Sequence, residues 1–314
     1  MKPPLVSVII PNYNHARFLE QRIDSVLRQT YQNFEVIILD DCSPDDGASK
    51  TVIEKYRSNP HVSHIIYNEV NSGSTFRQWQ KGFSLAKGEL IWIAESDDYC
   101  ELNFLEKCID VFQKNAYIAY VYATSFLVDA QGDRCKLCDV SEKIPNDIMD
   151  GHSFIATYMC TENAIWNASA VVFRKDIALS LPNTYQNYKA AGDHLFWVLL
   201  AERGDVAHIS EHLNYFRQHH QKVTPAKYRS GITYEEEHRT VGYIKSIGLL
   251  SEDKEKEAFN VFIRQILSQQ FDDENTRKKL LEMWKKDSPF KYFCAYYSIK
   301  YTMFKEKVKM KLLH

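Results

Sequence analysis

The sequence predicts an α/β protein: a mostly parallel sheet flanked by helices, followed by a helical C-terminal appendage. Three observations carry that expectation. Short apolar runs alternate with helix-period segments through the first hundred residues, the pattern of parallel strands buried on both faces. Two of those runs end abruptly in carboxylates, Ile38-Leu39-Asp40-Asp41 and Ile91-Trp92-Ile93-Ala94-Glu95-Ser96-Asp97-Asp98. From about Tyr234 onward the chain is charged and helical in period.

The first strand is expected over residues 5–10, ended by Pro11, and Phe18, Ile23, Val26 and Leu27 then recur at helical spacing. A second strand spans 35–39. Pro44-Asp45-Asp46-Gly47 supplies turn chemistry for a helix over 45–58. A strand over 62–67 follows, then a helix over 75–87 that stops at Gly88, then a strand over 90–94. Beyond it the sequence predicts a helix over 102–112, a strand over 117–128, a turn at 129–132 and a strand over 168–174. A helix beginning near Asp193 carries 195–201, and two short strands lie around Val206 and over 213–217. No internal repeat or low-complexity segment interrupts this order.

At 314 residues, 45% apolar and 25% charged, the chain is long enough for one large domain with an appendage or for two domains. A net charge of -2 gives no global field to recruit nucleic acid, and none is expected as a partner. Met1-Lys2-Pro3-Pro4 leads straight into a strand without a signal pattern, and no apolar run is long enough for a bilayer. Seven irregularly spaced cysteines fit a reducing compartment, so a cytoplasmic location is expected. Cys135 and Cys138 form one C-x-x-C with only His152 nearby, too few ligands for zinc, and read as an ordinary loop.

In open parallel sheets ligands bind beyond the carboxyl ends of the strands. Pro11-Asn12-Tyr13-Asn14, Asp40-Asp41 and Glu95-Ser96-Asp97-Asp98 all follow strands and should gather on one edge. That edge offers an aromatic face, an acceptor for a base N–H, and carboxylates for a hard divalent cation. A nucleoside diphosphate would use all three. Bare carboxylates would repel its phosphates by about 3 kcal/mol per pair at roughly 5 Å and an effective dielectric near 20. A bridging Mg²⁺ or Mn²⁺ reverses that sign and steadies a departing phosphate. The chain lacks a G-x-G-x-x-G after the first strand, a phosphate-binding P-loop and a G-x-S-x-G elbow.

With Val6-Ser7-Val8-Ile9-Ile10-Pro11-Asn12-Tyr13-Asn14, Gln29-Thr30-Tyr31-Gln32-Asn33-Phe34-Glu35, Asp40-Asp41-Cys42-Ser43, Asn71-Ser72-Gly73 and Ala86-Lys87-Gly88-Glu89 in this order before the acidic cluster, the chain resembles the inverting nucleotide-sugar glycosyltransferases of family two, which have a GT-A (Rossmann-like) fold. The resemblance implies a metal-dependent hexosyl- or N-acetylhexosaminyl-transferase. Its donor would be a nucleotide sugar, in the first instance a UDP-sugar, and its acceptor a glycan or a lipid-linked glycan of cell-surface polysaccharide biosynthesis. It implies that Tyr13 lies against the base, Asp41 accepts from the base N–H, and Pro11, Asn14 and Ser96 line the donor site. Asp97 and Asp98 match the end of the family's D-x-D region and divide the metal, ribose and phosphates between them.

Asp193, in Ala191-Gly192-Asp193-His194, resembles the family's catalytic base, an acidic group that takes the acceptor's proton. Tyr215-Phe216-Arg217-Gln218-His219-His220 resembles its R-x-H segment, with Arg217 on the diphosphate and His219 on the metal. Two positions depart from the family. Glu95 stands where Asp is usual. Trp79-Gln80 replaces Arg-Asn, with Arg77 as a substitute contact to phosphate. These departures support an alternative, a non-catalytic nucleotide-sugar-binding or scaffold subunit, against which the retained Asp193 argues. A nucleotidyltransferase lacks its Gly-rich phosphate loop here. The expected domains are a GT-A domain over 1–225, with a nucleotide-binding half to 100 and an acceptor half from 101, and a helical region over 226–314.

In that region Phe290, Phe293, Tyr297, Tyr301, Phe304, Val308 and Leu312 form one helical stripe among Lys291, Lys300, Lys305, Lys307, Lys309 and Lys311. Residues 289–312 offer either a core or homodimer face, or a peripheral contact with the inner face of an anionic membrane.

Overall fold

The computed structural model describes residues 3–135, 144–219 and 224–312, the side chains of 307 and 309–312 excepted. Cys138, His220 and the lysine side chains at 307, 309 and 311 therefore lie outside the described residues. In chain order the elements are β1 (Val6–Asn12), α1 (Ala16–Leu27), β2 (Phe34–Asp40), α2 (Ala48–Glu54), β3 (Val62–Tyr67), α3 (Thr75–Leu85), β4 (Leu90–Ile93), β5 (Tyr99–Cys100), α4 (Phe104–Phe112), β6 (Ile118–Val128) and β7 (Ile148–Met149). They continue with α5 (Gly151–Phe154), β8 (Val171–Arg174), α6 (Lys175–Ser180), α7 (Gly192–Ala201), β9 (Asp205–Arg217), α8 (Thr224–Ser230), α9 (Ile232–Ser246), α10 (Glu252–Ser268), α11 (Glu274–Asp287) and α12 (Pro289–Leu312).

The chain forms two compact units. The first comprises Met1–Gly151, Ile165–Gln186 and Leu199–Gln221; the second comprises His152–Ala164, Asn187–Val198 and Lys222–His314. The last of these segments carries α8 to α12. Two internal segments, one bearing Asp193, also belong to the second unit.

Among the described residues all nine strands lie in the first unit, in the order β3-β2-β1-β4-β8-β6-β9-β5, with β7 on β9. The half made by β3, β2, β1 and β4 is parallel. β8 runs antiparallel to β4 and β6, β6 and β9 are parallel, and β5 and β7 add two-residue antiparallel pairings. β1 and β2 are buried at every position, which explains their unbroken apolar runs. Two of the polar exceptions, Ser7 and Glu35, bond each other and the chain that enters β4. Ser7 Oγ donates to Glu35 Oε1 at 2.7 Å, the same oxygen accepts from Lys87 N at 2.6 Å, and Gly88 N donates to Ser7 Oγ at 2.8 Å. A Cβ on Gly88 would meet Leu5 O and Ser7 N at 2.6 Å, so glycine is needed where the chain enters β4.

Three expectations change at this level. β1 continues through Pro11 to Asn12, because its pairing with β4 has already ended at Ile9↔Ile93 and no partner there asks for the missing N–H. The two strands expected over 206 and 213–217 are one, β9, whose register slips opposite Ala123, Thr124 and Ser125. The strand expected from 168 begins at Val171. Asn167 first caps a short 3₁₀ turn, its Oδ1 accepting from Ser169 N at 2.7 Å.

The second unit has its own core, in which Phe259, Phe262, Ile263 and Ile266 of α10 meet Leu280 and Trp284 of α11 and Tyr292, Ala295 and Ile299 of α12. Ser251 and Asp273 cap α10 and α11 through side-chain oxygens. The aromatic stripe of α12 is not its core face. Phe290 is 78% exposed and Tyr297 65% exposed, and Phe293, Tyr301, Phe304 and Val308 are also exposed. Among the described residues no helix is long and apolar enough to cross a membrane.

Candidate active site

The carboxyl ends of β1, β2 and β4 converge as the topology requires. Asn12 closes β1, its Nδ2 donating to Asp40 Oδ1 at 2.7 Å and Ser49 Oγ at 2.9 Å. Two left-handed residues then turn the chain outward, Asn14 (φ 60°) and Cys42 (φ 60°). The turns are tied together by Asn14 N, which donates to Ser43 Oγ at 2.8 Å. Pro11 is buried within β1, and Tyr13 beyond it is 46% exposed. Asp41 is buried and heavily used. Its Oδ1 accepts from Asn68 Nδ2, Ser72 N and Gln78 Nε2 at 2.6, 2.9 and 2.8 Å, while Oδ2 accepts from Ser72 Oγ at 2.7 Å. Oδ2 keeps room for one more donor. Arg77 is exposed and donates from Nη1 to Ser72 O at 2.9 Å.

The acidic segment after β4 separates into different environments. Asp97 Oδ2 lies 3.0 Å from His219 Nε2. His15, directly after Asn14, packs edge-on to His219 with ring centroids 5.4 Å apart, and its Nδ1 lies 2.9 Å from Ser96 Oγ. One ligand atom from each of His15, Asp97 and His219 lies within 4.8 Å of the others. Two imidazoles and a carboxylate suit a divalent transition ion better than Mg²⁺. The 3.0 Å between Asp97 and His219 is also the spacing of cis ligands about 2.1 Å from one ion. Buried His219 Nδ1 has no hydrogen-bond partner. These residues therefore fit a bound divalent ion.

Asp98, expected beside Asp97 as a metal ligand, is held elsewhere. Its Oδ2 accepts from Asn167 Nδ2 and Ser169 Oγ, each at 2.7 Å, and its Oδ1 accepts from Arg217 N at 2.9 Å. Arg22 faces it at 4.0 Å in a fully buried pair. Arg217, expected on the diphosphate, is likewise turned inward. Its Nε donates to Asp97 O at 2.8 Å, Nη2 to Gln21 Oε1 at 2.6 Å and Nη1 to Ala130 O at 3.2 Å. Its guanidinium lies over Phe18 and Tyr99, 4.8 and 5.1 Å from the ring centroids. Both residues fasten β9 to the acidic segment and so set the position of Asp97 and His219.

In the second unit Asp193 stands in the first turn of α7, and its Oδ2 accepts from Asn163 Nδ2 at 3.1 Å. Burial, with a smaller push from Glu236, raises its carboxyl to about 6. Glu237 is raised to about 8, first by burial and then by Asp193 and Glu236. His194 is buried with its Nε2 3.0 Å from Met159 O, and burial lowers it to about 4. It is a neutral packing residue that donates to that carbonyl.

Residues 7–157 match the family model described as Glycosyl transferase family 2. The likeness to that family lies in these residues, just under half of the chain. It is 29% identical over 224 residues to the chondroitin synthase of Escherichia coli, covering 71% of this chain and 30% of that protein. It is 38% identical over 130 residues to a hyaluronan synthase of Pasteurella multocida, covering 41% and 13%. The chain thus spans less than a third of either relative's length. Among solved structures, S. aureus TarS 1-349 in complex with UDP superposes with a TM-score of 0.67 at 17% identity, over 92% of this chain and 82% of that one. That likeness establishes the GT-A type of fold.

The family 2 match ends before Asp193, Arg217 and His219, whose places rest on the geometry above. Within it, the two departures from the family pattern meet: Trp79 Nε1 donates to Glu95 Oε1 at 3.0 Å. Burial, then Asp97, pushes the Glu95 carboxyl up to about 8, so at neutral pH it adds little charge to the site. Sequence reasoning missed His15, Gln78, Asn167 and Ser169. His15 had one signal, its place directly after Pro-Asn-Tyr-Asn. The last two reach Asp98 from about seventy positions away and left none.

Proposed function

We propose that the protein is a metal-dependent inverting glycosyltransferase that moves a sugar from a UDP-sugar to a glycan or lipid-linked acceptor of cell-surface polysaccharide. The observation that carries this reading is the placement of exposed Tyr13, the buried Asp41 carboxylate with room for one more donor on Oδ2, and the His15–Asp97–His219 group at neighbouring strand ends. The names of the relatives and the UDP in the TarS structure support the donor and acceptor classes.

In this reading Tyr13 stacks on the base, and Asp41 Oδ2 accepts its imide N–H, with Pro11, Asn14 and Ser96 shaping the surrounding wall. Arg77 reaches the phosphates. Arg217 and Asp98 position the residues that hold the ion rather than touching it. A divalent transition ion such as Mn²⁺, held by His15, Asp97 and His219, would supply positive charge to the diphosphate as it leaves. Asp193 takes the acceptor hydroxyl's proton as that oxygen bonds to the anomeric carbon. The bond from that carbon to the phosphate oxygen breaks, and its electron pair departs with the nucleoside diphosphate.

A thermal-shift series tests this directly. UDP-sugars with Mn²⁺ are expected to raise the melting temperature, as ligands of the folded state do, and EDTA to abolish the rise. Equal shifts with and without EDTA, or none with any nucleotide sugar, would count against the proposal.

The exposed stripe of α12 completes the acceptor side of the reading. Residues 289–312 hold six lysines against one glutamate, so a second copy would meet like charge while an anionic lipid surface would not. Tyr297→Ser, Tyr301→Ser and Phe304→Ser together should remove salt-sensitive cosedimentation with vesicles containing phosphatidylglycerol. Core residues Tyr292, Ala295 and Ile299 are left in place. Undiminished sedimentation sinks the membrane contact, and a dimer lost on the same substitutions would give the stripe to a second copy.

A further inference from the structure

Glu236 of α9 is buried, and its carboxylate accepts from three successive backbone amides: Lys189 N at 2.7 Å to Oε1, and Ala190 N and Ala191 N, each at 2.8 Å, to Oε2. Those amides immediately precede Gly192-Asp193, where α7 begins. We propose that Glu236 is a positioning residue for Asp193, holding the chain that enters the base-bearing helix through these three bonds. The inference rests on Asp193 being the base.

Anchoring a loop does not by itself call for a charge, since a neutral amide or hydroxyl accepts from backbone N–H groups at lower desolvation cost. Here a buried carboxylate is placed where Asp193 and Glu237 already stand, and like charges crowd there. The groups facing Asp193 are Glu236 and Glu237 of α9 and Tyr228 of α8; His194, on its own helix, turns its ring to Met159 O. Glu236 therefore does two things at once. It fixes the backbone before Asp193, and its charge favours the protonated form of that carboxyl. The base is thereby placed by the helical C-terminal region, outside the stretch that carries the family 2 match.

The test uses the full-length protein with Glu236→Gln, which keeps size and loses charge, and Glu236→Asp, which keeps charge and shortens the reach. The readouts are amide hydrogen exchange over 187–193, and kcat and KM for hydrolysis of UDP-GlcNAc with Mn²⁺. In both variants exchange at 189–191 should quicken, and kcat should fall by about tenfold or more with KM within about twofold. The acid limb of the kcat profile should move to lower pH in Glu236→Gln and stay in Glu236→Asp. If one variant fails to fold, the other decides. Wild-type exchange and kcat in a folded variant would overturn the role of Glu236. A wild type inert towards UDP-, GDP- and dTDP-sugars would instead overturn the transferase reading, while the exchange data would still decide whether Glu236 holds 189–191.

Discussion

Asp193→Asn is expected to lower sugar transfer by about 10²–10⁴-fold, the usual contribution of a general base, while leaving UDP binding in Mn²⁺ unchanged. The substitution keeps the shape of the side chain and its place in the first turn of α7, and removes the charge and with it the capacity to take a proton. Wild-type turnover should rise with pH through about 6, where burial has raised this carboxyl, and the residual rate of the variant should lack that limb. The sign for stability runs the other way. A carboxyl raised in the fold stabilises it when protonated, and that contribution is lost as pH climbs from the ordinary aspartate range through about 6. Above that pH the variant no longer ionises a buried group, a relief of at most about 3 kcal/mol. An inactive enzyme that melts at a higher temperature is thus the expected signature. Retained turnover, measured by UDP release, would remove Asp193 from the chemistry.

Asp97→Ala carries the second large effect. Asp97 is the one carboxylate of the His15–Asp97–His219 group, and without it two neutral imidazoles would have to hold a divalent ion against water. UDP affinity in Mn²⁺ should fall at least about tenfold, or about 1.4 kcal/mol, to the level wild type shows in EDTA. Calorimetric titration of UDP with and without Mn²⁺ checks this. Affinity unchanged by the substitution would take the ion away from Asp97. Asp98→Asn makes an informative companion. Its carboxylate is spent on Asn167, Ser169 and the amide of Arg217, so its loss should register as a lower melting temperature before it registers in binding.

The parallel half of the sheet was legible in the sequence because β1, β2 and β4 are buried on both faces and therefore read as unbroken apolar runs. The antiparallel half was harder. β5 and β7 have two residues each, too few to leave a period, and β9 looked like two strands because its register slips in the middle. The site divided along the same line. Tyr13, Asp41 and Asp97 were visible because each sits just past a strand that was itself visible. The inward-turned roles of Asp98 and Arg217 were not, since a motif records which residues are present and not which neighbour each will face. Asn167 and Glu236 have no local signature at all. They act through tertiary contacts, on Asp98 and on the amides of 189–191.

The strands of the parallel half stop at unequal heights. β1 stays beside β2 as far as Asn12↔Asp40, yet parts from β4 at Ile9↔Ile93. The overhang itself, Ile10-Pro11-Asn12, is buried, and the exposed residues Tyr13 and Asn14 stand just beyond it. In the proposed reading, exchange of these two residues would alter the contact with the base while the sheet beneath keeps its packing.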